Sequence, residues 1–210
     1  MQQKRGVLII LEGIDQSGKS SATRRVKEIL NEKGKETITQ PFPDRSTEIG
    51  QLIDAFLHGK QLPQQAVHLL YSANRWEVAQ KITKTLNEGI NVICDRYAFS
   101  GIVYSIANGL DEKWCLSPDS GLPKPDDVFF LELSLEEAEK RRQTMQRDRY
   151  ENIEFQTKVK AEFEKLKEKL NWTSVDATLD KEALAQLIVQ LIEKKIEENQ
   201  FKPIETLNLI

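Results

Sequence analysis

Eight residues near the N-terminus, Gly13-Ile14-Asp15-Gln16-Ser17-Gly18-Lys19-Ser20, constrain this chain more than any bulk property does. They match G-x-x-x-x-G-K followed by Ser or Thr. The apolar run Val7 to Leu11 reads as a strand before them. Ala22, Val26, Ile29 and Leu30 keep a helical period after them, from Gly18 to about Lys33, with Gly34 as the stop. A strand, a glycine-bearing turn and a helix N-terminus in that order make a phosphate cradle. The glycines let backbone N–H groups fold around phosphate oxygens, the helix dipole adds positive potential, Lys19 reaches the β and γ phosphates, and Ser20 can ligate Mg²⁺. We assign Gly13, Gln16, Ser17, Gly18, Lys19, Ser20 and Ser21 to ATP on this basis. By chance, a chain of this length meets the four fixed positions roughly one time in a hundred. The competing reading is a glycine-rich turn with a surface lysine.

Apolar runs of strand length alternate with helix-period stretches along the rest of the chain, as in βαβ units around a parallel sheet. Lys35 to Thr39 reads as a second strand, Asn91 to Asp95 as a third, Asp127 to Leu133 as a fourth and Trp172 to Val175 as a fifth. Helices are expected near Ser46 to His58, Ala66 to Glu88, Phe155 to Leu170 and Leu184 to Ile192. Pro41-Phe42-Pro43-Asp44-Arg45 is read as a rigid loop, because two prolines remove ladder donors. The expected fold is α/β, a five-stranded parallel sheet with helices on both faces. With 210 residues, residues 1–210 form one domain.

Thirty Lys plus Arg against 33 Asp plus Glu give a net charge of −3, which excludes a global basic field for nucleic acid. An anionic ligand must therefore meet locally placed arginines. Cys94 and Cys115 are too few for a disulfide framework or a four-ligand zinc site and read as ordinary thiols. The N-terminal apolar run stops at Glu12, short of a signal peptide, and no run approaches a membrane span. A cytoplasmic protein is the expectation.

Asp95-Arg96-Tyr97 stands at the carboxyl end of the third strand, where open α/β sheets place ligands. Strand alternation predicts that Asp95 faces Mg²⁺ and the loop while Arg96 faces a second anion. Tyr71 and Arg75, four apart on one helix, could stack a planar group and meet its phosphate. With Arg45 and Arg96, three separated arginines can converge on one dianion, each through its planar fork. The alternative for each is an ordinary surface ion pair. A P-loop, a second phosphate site and the arginine-rich stretch Lys140 to Arg149 together describe phosphoryl transfer between nucleotides.

From about Gly6 through Trp172 the chain resembles thymidylate kinase of the eukaryotic and poxviral type. The matching blocks are Phe42-Pro43-Asp44-Arg45-Ser46-Thr47-Glu48-Ile49-Gly50, His68-Leu69-Leu70-Tyr71-Ser72-Ala73-Asn74-Arg75-Trp76-Glu77, Asp95-Arg96-Tyr97-Ala98-Phe99-Ser100-Gly101, Gly121-Leu122-Pro123-Lys124-Pro125-Asp126 and Arg149-Tyr150-Glu151-Asn152. The resemblance implies a P-loop nucleoside monophosphate kinase fold, transfer of phosphate from ATP to dTMP with Mg²⁺, and a homodimer. It implies that Asp15 touches the 3′-hydroxyl of dTMP, and that Arg45, Arg75 and Arg96 hold its phosphate. Tyr71 stacks on thymine, Phe42 borders it, and Ser100, Gly101, Tyr104, Tyr150 and Gln156 line the nucleoside. Asp95 positions Mg²⁺ through water, and Arg141 packs on adenine, with the adjacent Arg142 leaving the register open. Residues 141–152 form a lid.

Two positions depart from the family pattern. Tyr71 replaces a usual Phe, and Gln16 replaces a P-loop arginine, so a lid arginine, Arg147, is assigned the missing charge. The alternatives are a kinase for another nucleoside monophosphate or a deoxynucleoside, and a non-catalytic P-loop switch. A guanine-reading N-K-x-D element is absent from the sequence.

Overall fold

The computed structural model describes residues 4–142 and 153–209. Five parallel strands make one sheet in the order β2-β3-β1-β4-β5: β1 Leu8–Glu12, β2 Thr37–Pro41, β3 Asn91–Asp95, β4 Asp127–Glu132 and β5 Thr173–Asp176. β1 is central and wholly buried, which explains its unbroken apolar run. Its register sets Leu11 opposite Asp95 on one side and Phe129 on the other. The ends of β1 and β3 therefore open onto the same edge of the sheet.

Helices α1 (Lys19–Glu32) and α8 (Lys181–Asn199) pack together, while α3 (Gln64–Asn87) packs on α2 (Glu48–Leu57) and on α4 (Ala98–Ala107), and α4 packs on α7 (Ile153–Leu170). Two shorter helices, α5 (Glu112–Leu116) and α6 (Leu135–Arg142), complete the described elements with a 3-10 turn at Ser117–Asp119. Among the described residues no helix is long and apolar enough to cross a membrane.

The structure departs from the sequence reading at β2 and at α4, and the short α5 and α6 were not expected either. Pro41 is the last residue of β2 rather than part of the loop after it. β2 is an edge strand, and Phe42 N donates to Asp95 O at 2.9 Å, so the alternating Pro41 nitrogen lies on the open side, where no donor is needed. Helix α4 was not foreseen. Its first turns, Ala98-Phe99-Ser100-Gly101-Ile102-Val103, are buried on every side and carry no polar stripe to reveal a helical period.

Candidate active site

The P-loop begins where β1 ends. Gly18 stands at the N-cap of α1 with φ 89°, and a Cβ there would meet nothing within 4 Å, so the glycine is needed for its backbone angle and not for room. Lys19 folds back into the loop: its Nζ donates to Gly13 O at 3.0 Å, Ile14 O at 2.8 Å and Ser17 Oγ at 3.1 Å. Burial, reinforced by the nearby guanidinium of Arg96, pulls the ammonium down to about 8. Asp95, Asp15 and Glu12 oppose that shift.

At the end of β3 the side chains do not alternate as the sequence reading expected. Asp95 accepts from the Ser20 hydroxyl, and Arg96 also returns to the loop, pairing with Asp15 through Nη2. Arg96 lies beyond the strand with φ 68°, a left-handed turn that redirects its side chain toward the P-loop. The correction is one of direction only, since the cleft still includes Arg96. Burial alone would raise the Asp15 carboxyl, but Arg96 and Lys19 outweigh it and hold it below its ordinary value. Asp15 also accepts from Tyr104 Oη at 3.0 Å and Gln156 Nε2 at 2.9 Å, which ties α4 and α7 to the loop.

The three arginines line one cleft of about 530 Å³ with Asp15, Gln16, Gly18, Lys19, Ser20, Ser21, Phe42, Tyr71, Asp95, Ser100, Gly101 and Tyr104. Their partners differ. Arg45 is exposed and reaches Asp54 of α2 at 2.9 Å, the ordinary surface pair weighed from sequence. Arg75 is sealed: its Nε donates to Asp119 Oδ1 at 2.9 Å and its Nη2 to Asp119 Oδ2 at 2.7 Å. Gly101 lets that guanidinium approach α4, because a Cβ there would stand 2.7 Å from Nη2.

Gly13, Ser17, Arg141 and Gln156 are not among the residues lining this cleft. Gly13 and Ser17 instead hold Lys19, and Arg141 bonds the carbonyls of Gln16 at 3.4 Å and Ala177 at 2.9 Å beside the loop. Arg142 is buried against Glu139 at 2.6 Å. Arg147 and Tyr150, with most of the lid segment, lie outside the described residues.

Sequence reasoning missed Asp119, which sits in a 3-10 turn with no local pattern, as well as the cleft residues Leu57, Gln64, Val67, Ser105 and Asn108. It used Glu12 only as the end of an apolar run. The D in Ser117-Pro118-Asp119 had no signal beyond its charge in a turn.

The hydroxyl of Ser20 and the carboxylate of Asp95 meet directly at the mouth of the P-loop. Hard oxygen donors on a helix N-terminus and a strand end suit Mg²⁺, which takes one or two protein oxygens and fills its remaining positions with phosphate and water. No cluster of three His, Cys, Asp or Glu ligands occurs among the described residues, so this pair does not form a closed protein cage.

The family model described as thymidylate kinase matches residues 11–188. The thymidylate kinase of Danio rerio is 40% identical over 208 residues, covering 97% of this chain and 98% of its own. That of Schizosaccharomyces pombe is 44% identical over 197 residues, 91% of this chain and 93% of its own. The solved structure of Candida albicans thymidylate kinase superposes with a TM-score of 0.86 at 37% identity, covering 97% of this chain and 99% of that one. With its P-loop, its strand-end Asp95-Arg96 and these relatives over nearly the whole length, the chain belongs to the thymidylate kinase family.

Proposed function

We propose that the protein transfers the γ-phosphoryl group of ATP to dTMP, giving dTDP and ADP, with residues 1–210 acting as one kinase domain. The observation that carries the reading is the single cleft in which Lys19 and Ser20 of the P-loop stand with Arg45, Arg75 and Arg96 and the Tyr71 ring. The P-loop residues suit a triphosphate, and the Tyr71 ring with the arginines suits a planar group bearing a phosphate.

The reaction needs no strong general base, since the attacking oxygen belongs to an already anionic phosphate. A new bond forms from that oxygen to the γ-phosphorus while the bond to the bridging oxygen breaks, leaving the electron pair on ADP. Lys19 meets charge on the β and γ oxygens. Arg75 and Arg96 hold the acceptor phosphate in line, with Arg45 reaching it from the loop after β2. Ser20, directly, and Asp95, through water, would hold Mg²⁺, which would supply further charge neutralisation at the phosphates. Positioning and electrostatics carry the rate. Asp15 takes the 3′-hydroxyl of the acceptor, Tyr71 stacks on its base with Phe42 at the border, and Ser100, Gly101, Tyr104, Tyr150 and Gln156 line the nucleoside. Gln16, Ser17, Gly13, Gly18 and Ser21 belong to the ATP loop, and Arg141, which stands beside that loop, packs on adenine. Arg147 supplies from the lid the charge that Gln16 lacks.

A homodimer is proposed on the exposed Leu69 and Trp76, two turns apart on α3, together with exposed Leu52 on α2, the helix packed on α3. A cytoplasmic location is supported by two free cysteines. The net charge of −3 supports a protein without nucleic-acid partners.

Release of ADP with a panel of acceptors tests the reading. The expected order is dTMP over dUMP, with AMP, GMP and CMP poor. The thymine methyl is worth only about 1–3 kcal/mol, so discrimination against dUMP is moderate. A higher kcat/KM for AMP or CMP than for dTMP would overturn the acceptor assignment and leave a kinase of another specificity.

A further inference from the structure

Glu12 is the last residue of β1 and is completely buried, yet nothing in the reaction as described uses it. Its Oε1 accepts from Tyr97 N at 3.0 Å and Ser100 N at 3.1 Å, the open N–H groups at the start of α4. Its Oε2 accepts from Ser100 Oγ at 2.6 Å. The same Ser100 Oγ accepts from Arg96 Nη1 at 3.1 Å.

These bonds have a fixed sense. A guanidinium can only donate, so Ser100 Oγ must accept from Arg96, and its single proton is then available to Glu12. An ionised carboxylate can only accept, so it receives that proton. Arg96 Nη1, Ser100 Oγ and Glu12 Oε2 thus form a one-way chain from the cleft into the core. Arg96 stands in a left-handed turn with φ 68°, its Nη2 is taken by Asp15 at the cleft, and its Nη1 otherwise reaches, among the described residues, only Gly13 O at 3.5 Å, so the Ser100 bond is the closer hold on that nitrogen. Burial raises the Glu12 carboxyl above its ordinary value, while the charges of Arg96 and Lys19 and the Ser100 bonds act against that.

We propose that Glu12 is a positioning residue for the acceptor phosphate: through the Ser100 hydroxyl it fixes the guanidinium plane of Arg96, and through the first turn of α4 it fixes where Ser100 stands. The inference rests on the reading of Arg96 as an acceptor-phosphate ligand.

The experiment compares dissociation constants for thymidine and dTMP, measured by calorimetry, in the wild type and in Glu12→Gln, Ser100→Ala and Arg96→Ala. The ratio of the two constants isolates the phosphate, so contacts to the base or sugar cancel. Glu12→Gln keeps an oxygen for the two backbone donors but presents an N–H₂ group to Ser100, reversing the chain. Its preference for dTMP over thymidine is expected to fall about tenfold or more, the worth of a charge-assisted hydrogen bond. Measured well below pH 8, where Lys19 keeps its charge without help from Glu12, KM for ATP should stay within about twofold in a folded protein. Adding Glu12→Gln to Ser100→Ala should change the ratio little further, because both cut the same chain. An unchanged ratio in folded Glu12→Gln overturns the proposal, as does an equal rise in KM for ATP, which would mark a general loss of packing. If Glu12→Gln does not fold, Ser100→Ala reads the chain one link later, and an unchanged ratio there overturns it equally. An unchanged ratio in Arg96→Ala would instead overturn the phosphate role of Arg96 on which the inference stands. A lowered ratio in Arg96→Ala beside an unchanged one in Glu12→Gln removes the inference alone.

Discussion

Arg75 and Asp119 form a two-pronged ion pair closed to water, with both donor distances under 3 Å and side chains 2% and 0% exposed. Ser72 Oγ adds a bond to Asp119 Oδ1 at 3.0 Å. Two guanidinium nitrogens of Arg75 are spent on holding its plane, and Nη1 is not engaged by Asp119. A cleft arginine built in this way is set before any ligand arrives, unlike Arg45, whose partner Asp54 lies at the surface.

Asp119→Asn should therefore damage both folding and binding. Removing one partner of a buried pair leaves the other uncompensated, at a cost of about 3 kcal/mol or more. Chemical denaturation should show that loss, and KM for dTMP should rise while KM for ATP holds. Wild-type stability and KM in Asp119→Asn would mean that the pair does not set Arg75.

Gly101→Ala probes the same guanidinium from α4. The new methyl would lie 2.7 Å from Arg75 Nη2, and the arginine has little freedom to retreat while Asp119 grips it. Stability should drop by about 1–3 kcal/mol. The KM for dTMP should increase with little change in kcat, and a steady-state titration of dTMP decides the matter.

Lys19→Ala removes the ammonium that bonds Gly13 O, Ile14 O and Ser17 Oγ. Turnover should fall on the order of 10²-fold or more in a protein that still gives the native circular dichroism spectrum. Near-normal turnover in that folded variant would sink the assignment of the P-loop as the donor site.

Lys19 also predicts a pH dependence whose direction can be worked out. Its folded-state value lies near 8, below the ordinary 10.5, so the folded protein binds fewer protons than the unfolded chain between those two values. This group's penalty on stability is full below about 8 and is relieved as pH rises toward 10.5. Activity runs the other way, since the ammonium is the form that meets phosphate. In the free enzyme, kcat/KM for ATP should decline through an apparent pKa near 8, and the decline in kcat should come at higher pH because bound phosphates favour the charged form. A flat kcat/KM profile from pH about 7 to 10 would contradict this assignment.

The neutral Gln16 leads to a prediction resting on sequence. Arg147→Ala should lower kcat at least about tenfold with KM for dTMP little changed, and Gln16→Arg should restore part of the loss, measured as a double-mutant cycle. If Arg147→Ala, Arg149→Ala and Arg142→Ala all leave kcat intact, compensation from the lid is wrong.

What the sequence disclosed was whatever is encoded locally. The eight residues of the P-loop, the apolar β1 before it and the periodic α1 after it lie within one short stretch, and Asp95-Arg96 declares itself by ending an apolar strand. Asp119 and Glu12 were illegible because their roles exist only after folding, 44 residues from Arg75 and 88 from Ser100. Strand alternation predicted opposite sides for Asp95 and Arg96, whereas the left-handed Arg96 after β3 brings both side chains to P-loop residues. The α4 period was hidden by burial on all sides, and the extent of β2 by a proline that only an edge position tolerates.

That proline has a consequence for how copies of this protein meet. A parallel sheet exposes two borders on which a foreign strand can template, and here both are poor hosts. The β2 border is five residues long and ends in Pro41, which offers no donor on its outward side. The β5 border is four residues, Thr-Ser-Val-Asp, with Ser174 and Asp176 exposed. Strand-to-strand accretion is disfavoured at each end, so Pro41, which also lines the cleft, blunts one border of the sheet and leaves helix faces as the surfaces through which two copies can meet.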